Sequence, residues 1–79
     1  MTTREEALQV ISTIAEMNAD ELRPEMHLVA DLGVDSPKAL RLLVELEDRL
    51  DVEIEDEEAA ELKTVGDVLA FVERVSSGA

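Results

Sequence analysis

The chain has 79 residues, with 20 Asp+Glu against 7 Lys+Arg and a formal net charge of -13. That length holds one small domain with a modest core. The absence of Cys, Trp and Tyr, with Phe71 the lone aromatic, excludes a disulfide framework, a thiolate metal site, a cysteine nucleophile and a base-stacking platform.

The acidic charge repels phosphate backbones, so no nucleic-acid partner is expected. No apolar run approaches the ~20 residues of a membrane span, and Met1-Thr2-Thr3-Arg4-Glu5-Glu6 lacks the apolar region of a secretion signal. A soluble, cytoplasmic, monomeric domain is expected. Hydrophobic residues still make up 46% and recur periodically, which argues for a folded chain. Its size leaves little room for a catalytic cleft and favours a carrier or interaction module over a stand-alone enzyme.

Ala7, Val10, Ile11, Ile14, Ala15 and Met17 recur at helical spacing and predict an amphipathic helix over 3–17, with Thr3 as cap and Glu6 three residues on. Residues 18–35 form a long connection containing Pro24 and Gly33. Leu22, Met26, Leu28 and Leu32 within it predict that it is pinned to the core, with a short helical turn near its start. Ser36 is the predicted N-cap of the clearest helix, with Pro37 at its first position. Leu40, Leu43, Val44, Leu46 and Leu50 are its predicted buried face, and it ends near Asp51. Val52 and Ile54 tether an acidic stretch over 53–58. Asp56 is the predicted cap of a short helix holding Ala59, Ala60 and Leu62. A last helix follows Thr64, with Asp67 three residues on as a capping-box variant and Val65, Val68, Leu69, Val72 and Val75 as its stripe. Residues 1–2 and 76–79 read as frayed ends. The expected fold is all-α: a small antiparallel bundle of three long helices plus one short helix, forming a single domain over 1–79.

Candidate chemistry centres on Asp31-Leu32-Gly33-Val34-Asp35-Ser36, which feeds directly into the main helix. Gly33 permits a tight approach and Val34 can pack down. A hydroxyl on Ser36 would lie beside unpaired amides and the positive end of the helix dipole, a favourable place for a phosphate ester. On its own, Asp-Ser-Pro before a helix is more simply a cap.

That run resembles the Asp-Leu-Gly-Ala/Val-Asp-Ser signature of acyl carrier proteins. So do Leu46-Glu47, Val52-Glu53-Ile54, Asp56-Glu57-Glu58-Ala59 and Thr64-Val65, an ordered set covering nearly the whole chain. The resemblance implies that a phosphopantetheinyl transferase esterifies Ser36 with 4'-phosphopantetheine from coenzyme A. The arm's thiol would then carry acyl groups as thioesters in fatty-acid, lipid or polyketide-type biosynthesis. The chain would be a substrate of transferase, acyl-loading, synthase and acyltransferase enzymes and not an enzyme itself. Asp35 would position the transferase's metal. Leu28, Leu46, Ile54, Ala59, Leu62, Val68 and Phe71 would sheath the acyl chain.

The chain departs from that family where Leu usually follows the modified serine and Pro37 stands here. Lys38 and Arg41 occupy commonly acidic positions, and Glu55 replaces a frequent Pro. Lys38 and Arg41, with Glu45, Glu47 and Asp48, are the expected partner-docking residues. Reversed charge at the first two hints at a specialised member, unless they only decorate a solvated face and pair with Glu45. Two other functions fit less closely: an aminoacyl or D-alanyl carrier, and an acidic interaction protein without a prosthetic group.

Ten of the acids fall between Glu45 and Glu61. They read first as a solvated, partner-facing surface. From Asp51 the alternation resembles the start of an EF-hand loop. Asp56 replaces the required Gly, however, and Leu62 the bidentate Glu. No specific metal site follows, only weak Mg or Ca binding. His27 has no nucleophile beside it and reads as a packed or surface residue. Zinc would have only His27 plus carboxylates, a poor set. Met17 and Met26 read as gap-fillers in the core.

Overall fold

Capping and apolar periodicity produce four helices and one 3-10 turn in the computed structural model, which describes residues 2–77. They are α1 (Thr3–Ala15), the turn at Ala19–Glu21, α2 (Ser36–Leu50), α3 (Asp56–Ala60) and α4 (Val65–Ser77). Three long helices and one short one are present, as the spacing predicts. Met1, Gly78 and Ala79 lie outside the described residues.

The first helix is capped one residue earlier than expected. The Thr2 hydroxyl accepts from the Glu5 amide at 3.1 Å, and the Glu5 carboxylate accepts from the Thr2 amide at 3.0 Å. Thr2 and Thr3 each have a glutamate three residues on, so the sequence offers two equivalent boxes. Thr2 is therefore the ordered cap of α1 and not a frayed end. The bond from the Thr2 amide is the main influence holding the Glu5 carboxyl below its ordinary value. The helix stops at Ala15, short of Met17, because Glu16 turns left-handed at φ 58 and the Met17 amide returns to the Ser12 carbonyl at 3.0 Å. The Ser12 hydroxyl donates to the Met17 carbonyl.

Helix α1 packs against both α2 and α4. Ala7, Val10, Ile11 and Ile14 of α1 meet Leu42 and Leu46 of α2 and Val65, Val68, Leu69, Phe71 and Val72 of α4 in one core. Met17 and Met26 pack against its edge as half-buried residues. The predicted face of α2 needs correction. Leu46 is buried and Leu43 and Leu50 are half-buried. Leu40 and Val44 are 64% and 53% exposed, whereas Leu42, outside the predicted set, is 2% exposed. The core-facing line is Ala39, Leu42, Leu46 and Leu50. At ~100° per residue, Leu40 and Val44 fall nearly opposite.

The long connection is pinned, as expected, by Leu28, Leu32 and Val34, all buried, with Leu22 and Met26 at the core's edge. Backbone bonds fasten it to the start of α4. The Leu28 amide donates to Lys63 at 2.9 Å, Val65 to Met26 at 3.0 Å and Gly66 to Pro24 at 2.8 Å, around an isolated bridge between His27 and Thr64. A Cβ on Gly66 would sit 3.0 Å from the Pro24 carbonyl oxygen, so glycine is what permits this approach.

Glu55, not Asp56, is the residue before α3; Asp56 is the first helical residue, and Leu62 lies past the helix end. Thr64 and Asp67 form the predicted reciprocal cap of α4. The Asp67 carboxylate also accepts from the Lys63 amide at 3.1 Å. The Lys63 and Thr64 amides hold this carboxyl below its ordinary value of 3.8. Ser76 and Ser77, expected within a frayed tail, belong to α4.

Candidate functional site

The segment leading into α2 is shaped by a turn and an anchor. Gly33 takes φ 67, where an L side chain is strained. The Asp31 carboxylate accepts from the His27 amide at 2.6 Å. Val34, 2% exposed, is driven into the core, and its amide donates to the Leu28 carbonyl at 2.9 Å. The chain emerges at Asp35 in an extended conformation.

Asp35, not Ser36, is the N-cap. Its Oδ1 accepts from the Lys38 amide at 3.1 Å, and its carbonyl accepts from Ala39 at 2.7 Å. Ser36 is thus the first helical residue and Pro37 the second. Either residue type is a competent cap. Asp35 takes the role because Val34, immediately before it, is the last residue held down by the loop.

This assignment frees the serine. Ser36 is exposed, and among the described residues its hydroxyl makes no hydrogen bond. The picture of several open amides around it is corrected, since Pro37 has none and Lys38's is taken by Asp35. An anion on Ser36 Oγ meets the helix dipole and at most the Ser36 amide. A phosphodiester there breaks no existing bond, so the residues fit a phosphopantetheine ester.

Among the expected docking residues, Lys38 reaches Glu16 of α1 at 3.8 Å. The alternative pair between Arg41 and Glu45 does not form, and Arg41 has no carboxylate within ion-pair distance among the described residues. Glu45 is half-buried beside Val10, Thr13 and Ile14 in the groove between α1 and α2. The Glu47 carboxylate is partly committed inward, accepting from the Ile54 amide at 2.9 Å. Asp48 is exposed.

Leu28, Leu46, Val68 and Phe71 share the buried core, and Ile54 and Leu62 pack against it. Ala59 is half-buried but stands outside that packing among the described residues. Leu62 and Phe71 also line a groove of about 200 Å³ between α3 and α4, with Glu58, Glu61, Asp67 and Arg74 as its polar walls. Arg74 lies over the Phe71 ring at 5.4 Å and pairs with Glu58 at 3.8 Å. His27 is exposed. Among the described residues, no group of three metal-ligating side chains occurs, and no helix is long and apolar enough to cross a membrane.

The exposed pair Leu40 and Val44 was missed by the periodicity argument. A helical wheel centred on Leu42 would have found it.

Residues 5–72 match the family model described as a phosphopantetheine attachment site. The chain is 38% identical over 73 residues to an acyl carrier protein of Helicobacter hepaticus, covering 92% of this chain and 96% of that protein. It is 36% identical over 67 residues to the meromycolate extension acyl carrier protein of Mycobacterium bovis, covering 85% of this chain and 58% of that one. A solved structure described as an acyl carrier protein from Mycobacterium tuberculosis superposes with a TM-score of 0.83 at 36% identity, covering 91% of this chain and 96% of that one. A free serine hydroxyl at the start of an otherwise capped helix, a family match spanning most of the chain and a shared fold agree: the chain belongs to the acyl carrier protein family, whose prosthetic group is a covalently attached 4'-phosphopantetheine.

Proposed function

We propose that Ser36 is the attachment point of 4'-phosphopantetheine and that the chain is a carrier, modified and loaded by other enzymes without catalysing a reaction itself. The observation that carries this reading is the division of labour at the start of α2. Asp35 performs the capping, leaving the exposed Ser36 hydroxyl with no structural task. In the attachment step, Ser36 Oγ forms a P–O bond to the phosphopantetheine phosphate of coenzyme A. The bond to the departing 3',5'-ADP breaks, and the hydroxyl proton passes to a base on the transferase. Bound, the group supplies the thiol on which acyl thioesters form. The chain contains no cysteine, so no thiol of its own competes.

Asp35 supports the reading in a second way. Only one carboxylate oxygen caps the helix, and the other is available to the transferase's metal beside Ser36. The convergence of Leu28, Leu46, Val68 and Phe71 in one core, with Ile54 and Leu62 at its edge, supports an acyl sheath reached by opening the bundle. Each buried methylene would contribute about 0.8 kcal/mol, less the cost of opening. The partners are accordingly a phosphopantetheinyl transferase and acyl-loading, synthase or acyltransferase enzymes of fatty-acid, lipid or polyketide-type biosynthesis.

The test is intact mass after incubation with coenzyme A, Mg²⁺ and a broad-specificity transferase. The wild type gains one phosphopantetheine, and Ser36→Ala gains none while remaining helical. A mass gain by Ser36→Ala, or none by the wild type, refutes the assignment.

A further inference from the structure

Helix α3 is fastened to the bundle more than it is packed into it. It contributes no buried residue, and among the described residues the loop and cap bonds donated by Glu55, Ala59, Glu61 and Leu62 all close within the segment. Ile54 before it and Leu62 after it pack at the edge of the core. Between those two anchors one side chain ties α3 to α4. Glu58 divides its carboxylate: Oε1 accepts from the Glu55 amide at 3.3 Å, completing the cap of α3, and Oε2 pairs with Arg74 of α4 at 3.8 Å. The Arg74 guanidinium also lies over the Phe71 ring, 5.4 Å from its centroid. It is the sole cation among the groove's lining residues, against Glu58, Glu61 and Asp67. Phe71 beneath it is 2% exposed, so a guest reaches that ring only when α3 moves off α4.

We propose that Arg74 is a latch between α3 and α4 that sets the length of acyl chain at which the bundle opens to shelter its cargo. The inference rests on Ser36 carrying the arm and on the core sheathing the acyl group. A chain that extends past Leu62 to Phe71 lifts α3, which separates Glu58 from Arg74 and uncovers the ring. The ion pair is exposed and contributes little, and the ring contact adds a comparable amount; together they weigh about as much as burying one to two methylenes. A latch of that size does not exclude cargo. It shifts the chain length at which apolar burial overcomes the closed state. Charge acts in the same direction. Without Arg74, Glu58 and Glu61 share the groove with Asp67 and no cation lines it, so like-charge repulsion favours the open state. Arg74 is therefore a positioning residue: it acts on the cargo through α3 and Phe71.

The experiment loads wild type, Arg74→Gln, Arg74→Lys and Glu58→Gln with a broad-specificity phosphopantetheinyl transferase and acyl-coenzyme A thioesters from butyryl to dodecanoyl, so that Ser36 receives the acylated arm in one step. Intact mass verifies loading and circular dichroism verifies the fold. Glu58→Gln keeps an oxygen for the cap of α3 while removing the charge, so the latch is released from either side. Two quantities are read at each chain length: the half-life of the thioester toward hydroxylamine, and the NMR shifts of the Phe71 ring, unambiguous because Phe71 is the lone aromatic. Once chains enter the core, the half-life should lengthen about fourfold for each added methylene, and the Phe71 resonances should move over the same lengths. Arg74→Gln and Glu58→Gln should match wild type carrying one to two carbons more, with Arg74→Lys between them and wild type. Superimposable length profiles for wild type, Arg74→Gln and Glu58→Gln overturn the latch, as does a shift toward longer chains. Length-dependent protection with unmoved Phe71 resonances also overturns it, while leaving the sheath reading intact. No protection at any length defeats the sheath reading, and no mass gain by the wild type defeats the attachment reading; either removes the latch with it.

Discussion

Asp35 and Ser36 are adjacent and both suited to capping a helix, yet only Asp35 caps α2, and paired substitutions separate that role from the one proposed for Ser36. Asp35→Ala removes the acceptor of the Lys38 amide, a bond of 3.1 Å, and a negative charge at the positive end of α2. Loss of such a cap costs ~1 kcal/mol, within a range of about 0.5–2. In a domain of this size that lowers Tm by about 4–8 °C. Ser36→Ala removes an exposed hydroxyl that makes no hydrogen bond among the described residues, and alanine is the best helix former. Its cost should stay within about 0.5 kcal/mol of zero. Asp35→Asn retains a capping oxygen and should keep most of the stability, while losing the charge that would hold the transferase's metal. Thermal circular dichroism near pH 7, combined with intact mass after transferase treatment, reads both roles. Ser36→Ala should be stable and unmodified, Asp35→Ala destabilised, and Asp35→Asn stable but slowly modified. If Ser36→Ala destabilises as much as Asp35→Ala, Ser36 is the cap and the argument for its freedom fails.

Two further predictions concern the frame that holds the site. The fold keeps Asp67 ionised by binding its carboxylate with the Lys63 and Thr64 amides. A depressed carboxyl pKa stabilises the fold above the ordinary value of 3.8, and that stability is lost as pH falls through the lower folded value. Urea midpoints should therefore show Asp67→Asn less stable than wild type at neutral pH, with the gap narrowing as the pH falls below 3.8; a gap independent of pH contradicts this. Gly66→Ala would gain up to about 1 kcal/mol of helix propensity, but its Cβ would press on the Pro24 carbonyl at 3.0 Å. That oxygen cannot retreat without loosening the 2.8 Å bond from the Gly66 amide. With overpacking costing about 1–3 kcal/mol, the Tm should fall; a rise would show that the loop yields.

Much of this was legible in residue order. Apolar spacing sufficed for α1 and α4, whose stripes are unambiguous, and Thr64 with Asp67 marked the start of α4 because capping is local chemistry. The run from Asp31 to Ser36 marked the proposed attachment site. Three features needed the tertiary structure. Helix α2 carries Leu40, Leu42, Leu43, Val44, Leu46 and Leu50 around most of its circumference, so periodicity alone admits more than one buried face. Packing against α1 selected Leu42 and Leu46 and left Leu40 and Val44 outside. The choice of Asp35 over Ser36 as cap followed from where the anchored Val34 releases the chain. The pinning of residues 24–28 to residues 63–66 is carried by backbone hydrogen bonds, which every residue but proline can donate. Side-chain pattern encodes local periodicity and caps, whereas the rotation of a helix and the partners of a loop's backbone are settled only when distant segments compete for the same core.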